Sequence, residues 1–382
     1  MKTTLFAAAF ALAASIGFSA CTGTTRRTVD VLVIGSTTSG TSAAIAAARE
    51  GVSTLVVEPT PMLGGMLTAQ GVSAIDGNDG LPSGFWNEFR EALRSHYGGP
   101  EALRTGWVSA TQFEPSVADS IFKAKAAAEP TLEVIHGYRL VEVYREGDAV
   151  TGARFTDDRG GRLEVAARIT IDATDLPLSG TAYRVGMDAR ADTGERQAFE
   201  QANDIVQDLT VVAILKDYGE GADRTIPRPE GYDPAEFEGC CTAGGKPMDP
   251  AYMIKYGRLP NGKYMINWPT HGNDYYANVV EMPYEERIEA LKPAREKTLR
   301  FIYHLQHELG FRNLGIADDE FDTEDGLAYL PYHREGRRLD GVVRLTLDDV
   351  TDRYDRPAAL YRTGISVGDY PVDHHHACYP GF

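Results

Sequence analysis

Val29-Asp30-Val31-Leu32-Val33-Ile34-Gly35-Ser36-Thr37-Thr38-Ser39-Gly40, continuing through Thr41-Ser42-Ala43-Ala44-Ile45-Ala46-Ala47-Ala48-Arg49-Glu50-Gly51 to Ser53-Thr54-Leu55-Val56-Val57-Glu58, is the stretch from which the fold can be read. Val29 to Val33 has the short apolar pattern of a buried strand. The small residues after Gly40 favour a helix, and Gly51 stands where a left-handed cap would end it. Ser53 to Val57 is a second buried strand, closed by an acid. Strand, tight turn, helix, strand, acid is the order of a dinucleotide-binding βαβ unit. Gly35 permits the turn off the strand, Gly40 lets the helix pack on the sheet, and the helix N-terminus offers its dipole to a pyrophosphate. Glu58, 23 residues after Gly35, is placed to accept hydrogen bonds from a ribose hydroxyl. An acid rather than a base there argues against a 2′-phosphate and so against NADP. Thr37 occupies the position of the middle glycine; its side chain either lengthens the approach to the phosphate or bonds to it. The competing reading is a plain α/β core in which the same turn only packs.

N-terminal to this unit, Lys2 precedes an almost unbroken apolar run from Leu5 to Phe18, too short to span a bilayer comfortably. Phe18-Ser19-Ala20-Cys21 then resembles a lipobox, in which Cys21 is lipidated and becomes the first mature residue. This predicts export to the periplasm, with anchoring at the outer membrane through Cys21 the only membrane contact. The alternative is a cytosolic chain with an apolar start. Thr22 to Thr28 reads as a short tether.

C-terminal to the unit, Glu58-Pro59-Thr60-Pro61-Met62-Leu63-Gly64-Gly65-Met66-Leu67-Thr68 resembles the FAD-dependent oxidoreductases, flavoproteins with two dinucleotide-binding folds in which an L-G-G-M-x-T loop follows the acid. That family often carries Thr at the middle glycine. The resemblance implies FAD as cofactor, with Gly64 and Gly65 lying against it near the pyrophosphate and flavin. Phe113-Glu114-Pro115-Ser116-Val117-Ala118 matches a helix start in the same family, with Pro where helices tolerate it. Strands at Leu132–Ile135, Leu140–Tyr144, Ala153–Phe155 and Arg168–Ala173, with a hairpin turn at Asp157-Asp158-Arg159-Gly160-Gly161, form a meander that returns to the cofactor at Ala173-Thr174-Asp175. Thr174 is the implied contact; Asp175 stands where the family has Gly. Asn267-Trp268-Pro269, His271-Gly272-Asn273-Asp274 and Pro331-Tyr332-His333-Arg334-Glu335-Gly336-Arg337-Arg338 are further likenesses. The resemblance assigns Arg334, Arg337 and Arg338 to the flavin or its phosphates, which an arginine pair can grip bidentately; the other reading is a surface charge run.

The fold class expected is therefore α/β, an FAD/NAD(P)-binding Rossmann-like domain with an inserted α+β substrate lobe. Residues 1–21 are the signal peptide, 22–28 the tether, 29–190 the N-terminal part of the FAD domain with its meander, 191–330 the substrate lobe and 331–382 an incomplete return segment. Within the lobe, Asn261-Gly262 is a hairpin turn, and Pro283 to Leu309 is helical with Glu285, Glu286 and Arg287 solvated. Family members continue past the His374-His375-His376 run, so the chain reads as truncated.

The chemistry that follows is oxidation of a small organic substrate by hydride transfer to flavin, with a base nearby. His374 or His375, in a family segment that approaches the active site, and His271 are the candidates. Neighbouring residues on a strand face opposite ways, so the three adjacent histidines cannot all meet one point. Metal binding by His374 and His376, a polar loop, and catalysis remain open readings. The net charge of −17 speaks against nucleic acid as a partner and requires that a pyrophosphate be held by local features. The four cysteines, Cys21, Cys240, Cys241 and Cys378, show no CxxC or Cys–His spacing, which argues against structural zinc and, with Cys21 lipidated, against an iron–sulfur cluster. Adjacent Cys240 and Cys241 rarely pair, because disulfide geometry is demanding. Two other functions stay in play: a non-catalytic exported lipoprotein or inactive fragment retaining the fold, and an NAD-dependent dehydrogenase. Substrate, electron acceptor and oligomeric state are not legible.

Overall fold

A computed structural model of the chain describes residues 23–81, 84–174, 181–243, 245–268, 271–351, 369–372, 375 and 377. The expected signal peptide, Cys21, Asp175, His374, His376 and Cys378 lie outside the described residues.

The first half is built on a six-stranded sheet. Its members are β1 (Thr24–Ile34), β2 (Thr54–Glu58), β3 (Leu132–His136), β4 (Arg139–Glu146), β5 (Ala149–Thr156) and β6 (Arg162–Asp172), in the spatial order β3-β2-β1-β6-β5-β4. β1, β2 and β3 run parallel, with Val31 beside Thr54 and Val56 beside Val134. The meander β4-β5-β6 is antiparallel and joins by pairing β6 parallel to β1. All five residues of β2 are buried, the mark of a strand covered on both faces. One face carries Leu32, Ile34, Leu55, Val57 and Phe155; the other carries Val31, Val33 and Val56 against Ala44 of the helix α1 (Thr38–Arg49). Each large apolar side chain so buried stabilises by roughly 1.5–3 kcal/mol.

The expected tether is not one. Thr24 to Thr28 form the first part of β1, paired with Arg162 to Ala166 of β6. Its exposed, threonine- and arginine-rich composition reads as linker, yet alternate residues with β-branched Thr suit a solvated strand whose backbone is satisfied by a neighbour. The meander and the Asp157–Gly161 turn stand as expected, the turn closed by Asp157 N–H to Gly161 O at 3.1 Å.

The helix α2 (Gly84–Tyr97) and the helix α3 (Pro115–Ala127) pack together through Phe89, stacked on Phe122 at 4.6 Å. The second half holds a three-stranded antiparallel sheet of β7 (Ala213–Asp217), β8 (Lys263–Ile266) and β9 (Leu314–Ile316), with β7 central. The helix α4 (Tyr284–His307) covers it, burying Phe301, Ile302 and Leu305 with Ile214, Ile266 and Trp268. Asn261 (φ 57°) and Gly262 (φ 70°) form the left-handed turn expected before β8, and Leu259 N–H donates to Lys263 O across it.

The two halves are fastened by a buried charge cluster. Lys263 Nζ lies 2.8 Å from Glu114 Oε1, at the start of α3, and 2.9 Å from Asp319 Oδ1; it also pairs with Glu320. Burial pulls the ammonium pKa down, but the carboxylates outweigh it, so Lys263 stays charged with a pKa above the usual lysine range.

Candidate functional site

The turn off β1 is held by its own sequence. Gly35 has φ +86°, and a Cβ there would lie 2.7 Å from Ala173 O. A Cβ on Gly40 would lie 2.5 Å from Gly35 O, so only glycine lets α1 come this close. Thr37 is the N-cap of α1: its Oγ1 accepts the Gly40 N–H at 3.2 Å. That is a third role for this hydroxyl, distinct from the two the sequence suggested. Glu58 is buried, its Oε2 accepting the Ser36 N–H at 2.7 Å and its Oε1 the Thr60 N–H at 2.9 Å. Oε1 also accepts the Thr60 hydroxyl at 2.7 Å and is filled, whereas Oε2 keeps a second lone pair, so Glu58 can brace the turn and still accept from a ribose through Oε2.

The double-glycine loop lies directly over the turn. Gly64 N–H donates to Ser36 O at 2.8 Å, and a Cβ on Gly65 would lie 2.7 Å from Thr37 Cα. A Cβ on Gly64 would lie 2.5 Å from the Phe122 ring. The loop is anchored from α3 by Asp119, whose Oδ1 accepts the Leu63 N–H at 2.8 Å. Asp119 was missed in the sequence because nothing local marks a helix residue as the partner of a loop 56 positions away. At the end of β6, Thr174 folds back on Asp172 through Oγ1 at 2.9 Å.

Gly35, Thr37, Glu58, Gly65 and Thr174 all line one cleft of about 1020 Å³, at the top of the roughly 300–1,000 Å³ usual for ligand and cofactor sites. Gly40 and Gly64 are not among its lining residues. The opposite wall comes from the second half: Tyr284, Arg287, Leu291 and Arg295 of α4, with Tyr329 and His333. Arg287, expected to be solvated with Glu285 and Glu286, is instead half-buried in this wall, because α4 turns that face toward β1 rather than to bulk water. Arg139, Arg287, Lys292, Arg295 and Arg337 line the cleft against Glu58, Glu281 and Glu285. Arg139, Lys292, Arg295 and Arg337 are each paired with an acid, Asp158, Glu289, Asp325 and Glu281; in a chain of net charge −17 a pyrophosphate would have to compete for them locally.

His333 was quoted in the sequence only as a neighbour of Arg334. It lines the cleft and is half-buried there. Burial, with a smaller contribution from the Arg287 charge, pushes its pKa down to about 4, so the imidazole is neutral at pH 7.

The three arginines part company. Arg337 lines the cleft, held by Glu281 at 2.9 Å and lying over the Tyr183 ring. Arg334 turns into the second half, where it donates to Asp208 O, Thr210 Oγ1, Asn267 Oδ1 and Asp274 Oδ1. Arg338 is exposed and pairs with Glu335 and Asp188. Neither lines the cleft, so the arginine-rich segment contributes one cation to it rather than three.

Of the histidines, His271 is exposed, in a left-handed turn with its ring against Gly239. His375 Nε2 lies 2.7 Å from Asp274 Oδ2, and the His375 backbone N–H donates to Gln207 Oε1. Burial alone would raise the Asp274 pKa; the His375 hydrogen bond and the Arg334 charge outweigh it and hold the carboxyl below its usual range. Asp274 is reached through Asn273, whose side chain accepts the Trp268 N–H and donates to Val211 O. Among the described residues no three His, Cys, Asp or Glu side chains converge to hold a metal ion, and no helix is long and apolar enough to cross a membrane.

The family model for FAD dependent oxidoreductase matches residues 30–379. Among solved structures, the myxobacterial chondrochloren halogenase CndH, described as an FAD-dependent halogenase, aligns at 15% identity over 53% of this chain and 45% of its own, with a TM-score of 0.33. The p-nitrophenol 4-monooxygenase from Pseudomonas putida aligns at 12% identity over 50% and 49%, TM-score 0.30. The L-proline dehydrogenase from P. horikoshii aligns at 13% identity over 44% and 26%, TM-score 0.26. The chain spans less than half the length of each of these structures. No curated protein matches it.

Proposed function

The chain belongs to the FAD-dependent oxidoreductase family, and from that premise we propose that it oxidises a small organic substrate at a carbon–hydrogen bond. The observation that carries the reading is the single cleft with the Gly35–Thr37 turn and Glu58 on one wall and the α4 wall with His333 and Arg337 on the other. The residues present fit the dinucleotide. Glu58 Oε2 has one spare lone pair for a ribose, the turn and Gly65 bring the backbone close, and Arg287 and Arg337 line the cleft as cations. The flavin, when bound, supplies the hydride acceptor.

The chain's own groups bind and manage protons. His333, neutral and lining the cleft, offers a hydrogen bond without a charge. His375 is the base we assign: Asp274 holds Nε2 and fixes the ring, which leaves Nδ1 to take a proton. His375 stands outside the cleft lining, joined to it through Asp274, which pairs with Thr210, next in sequence to the cleft-lining Val211. We also propose export with lipidation at Cys21, on the strength of the apolar run and the Ser19-Ala20-Cys21 sequence.

The test is the visible spectrum of the purified mature chain, then anaerobic titration with a panel of alcohols and amines. A flavin spectrum that survives gel filtration and is bleached by one of them supports the reading. A folded, colourless protein sinks it.

A further inference from the structure

Cys240 and Cys241 sit in the turn that follows the short helix Pro234–Phe237, outside the cleft lining. Their sulfurs are 3.7 Å apart. Cys240 is buried and Cys241 half-buried. Three further side chains extend the pair. His304 Nε2 lies 3.8 Å from Cys240 Sγ, His304 Nδ1 lies 3.1 Å from Tyr232 Oη, and Tyr232 Oη donates to Glu308 Oε1 at 3.4 Å. With the tyrosine hydroxyl donating to Glu308, the imidazole proton resides on Nδ1, and Nε2 turns a lone pair to the thiol. The order Glu308, Tyr232, His304, Cys240 is thus a path along which a thiol proton can be accepted, the arrangement that activates a nucleophilic sulfur.

We propose that Cys240 and Cys241 form a reversible redox site whose partner is a small-molecule disulfide of the oxidised-glutathione class. Cys241, the accessible sulfur, attacks the disulfide as a thiolate. One S–S bond breaks, a mixed disulfide forms at Cys241, and one thiol leaves. Cys240 then gives its proton to His304 Nε2 and attacks Cys241 Sγ. The Cys240–Cys241 bond forms, the mixed disulfide breaks, and the second thiol leaves. Two protein thiols are oxidised, one small disulfide is reduced to two thiols, and both protons end on the products. Cys240 has one S–H: turned to Cys241 it lowers the outer thiol's pKa and, with burial, raises the inner one, which suits Cys241 attacking first; turned to His304 Nε2 it is released for the resolving step.

The bond so formed is a strained one. Adjacent Cα atoms stand about 3.8 Å apart across a trans peptide, short of the roughly 4.4–6.8 Å that relaxed disulfides span. Such a bond is readily reduced, which makes it a switch and not a staple. It also has a neighbour to move. Trp268 Nε1 donates to Cys240 O at 2.7 Å, and Trp268 is followed within six residues by Asp274, the partner of His375. Closing the ring must turn the Cys240–Cys241 peptide, so it shifts the acceptor of the Trp268 indole.

The experiment treats the purified full chain with oxidised glutathione, alkylates the remaining thiols and maps the peptides. The expected product is a peptide holding Cys240 and Cys241 that is two hydrogens lighter, unalkylated and free of glutathione, restored by dithiothreitol. Tryptophan emission should shift on oxidation and return on reduction. Cys240→Ser should accumulate the glutathione mixed disulfide at Cys241, and Cys241→Ser should form no adduct over the same time. A stable mixed disulfide in the unmodified chain, a bridge from either sulfur to Cys378, or full retention of both thiols in the folded protein would each overturn the proposal.

Discussion

Glu58 Oε2 accepts the backbone N–H of Ser36 at 2.7 Å, tying the end of the second strand to the glycine turn that leaves the first. The carboxylate that the sequence offered to a ribose is therefore also the brace of the turn. Glu58→Ala should leave the Ser36 and Thr60 donors without this acceptor in a buried place, at a cost of about 1–3 kcal/mol per unsatisfied group. Flavin content after gel filtration and a thermal melt measure the two roles. Glu58→Gln, which keeps one acceptor oxygen, should recover stability more than affinity. Equal loss of both in the two variants would show that the charge itself braces the turn.

The close approach of Gly65 to Thr37 predicts a sharp size limit. Gly65→Ala places a methyl 2.7 Å from Thr37 Cα, at φ +54°. It should push the loop off the turn and lower flavin affinity. Gly51→Ala is the control: its φ is +81° but no atom lies within 4 Å, so it should cost only about 1–2 kcal/mol of backbone strain. Flavin retention unchanged in Gly65→Ala would show that the loop is not part of the cofactor wall.

Replacing the proposed base gives a kinetic prediction. His375→Gln should lower kcat by about 10²–10⁴, while the flavin spectrum is retained. Asp274→Asn is the weaker choice, since it also strips a buried partner from Arg334. An unaltered kcat in His375→Gln would remove this residue from the chemistry.

His333 makes stability depend on pH. Its folded pKa of about 4 lies below the unfolded value of about 6.5. Between these values the unfolded chain binds more protons, so stability rises with pH through that window and is lost as pH falls from about 6.5 toward 4. The full shift corresponds to about 3 kcal/mol. Denaturant midpoints at pH 7 and pH 5 read about 2 kcal/mol of it, and His333→Gln should flatten the difference. A midpoint in His333→Gln that falls with acid as steeply as in the unmodified chain would assign the dependence to other groups.

Much of the dinucleotide half could be read along the chain. Gly35, Gly40, the apolar β2 and the Asn261-Gly262 turn each carry their instruction within a few residues, because a tight turn, a helix cap or a doubly covered strand is set by local conformation and pattern. The threonine-rich start of β1 was read as linker for the same reason, since a solvated strand is recognisable only by the neighbour it pairs with.

What the cleft contains was decided elsewhere. Arg334 and Arg337 are three residues apart with the same chemistry, yet one is consumed by Asp274, 60 positions away, and the other faces the cleft. His375 acquires a carboxylate across 101 positions, Cys240 an imidazole across 64, and Leu63 an anchor across 56. Sequence determined which groups could do chemistry and the local frame that holds a phosphate-binding turn. Only tertiary structure determined which of those groups are satisfied by a partner and which face a cavity, because hydrogen-bond capacity is finite and packing allots it among residues that are remote along the chain.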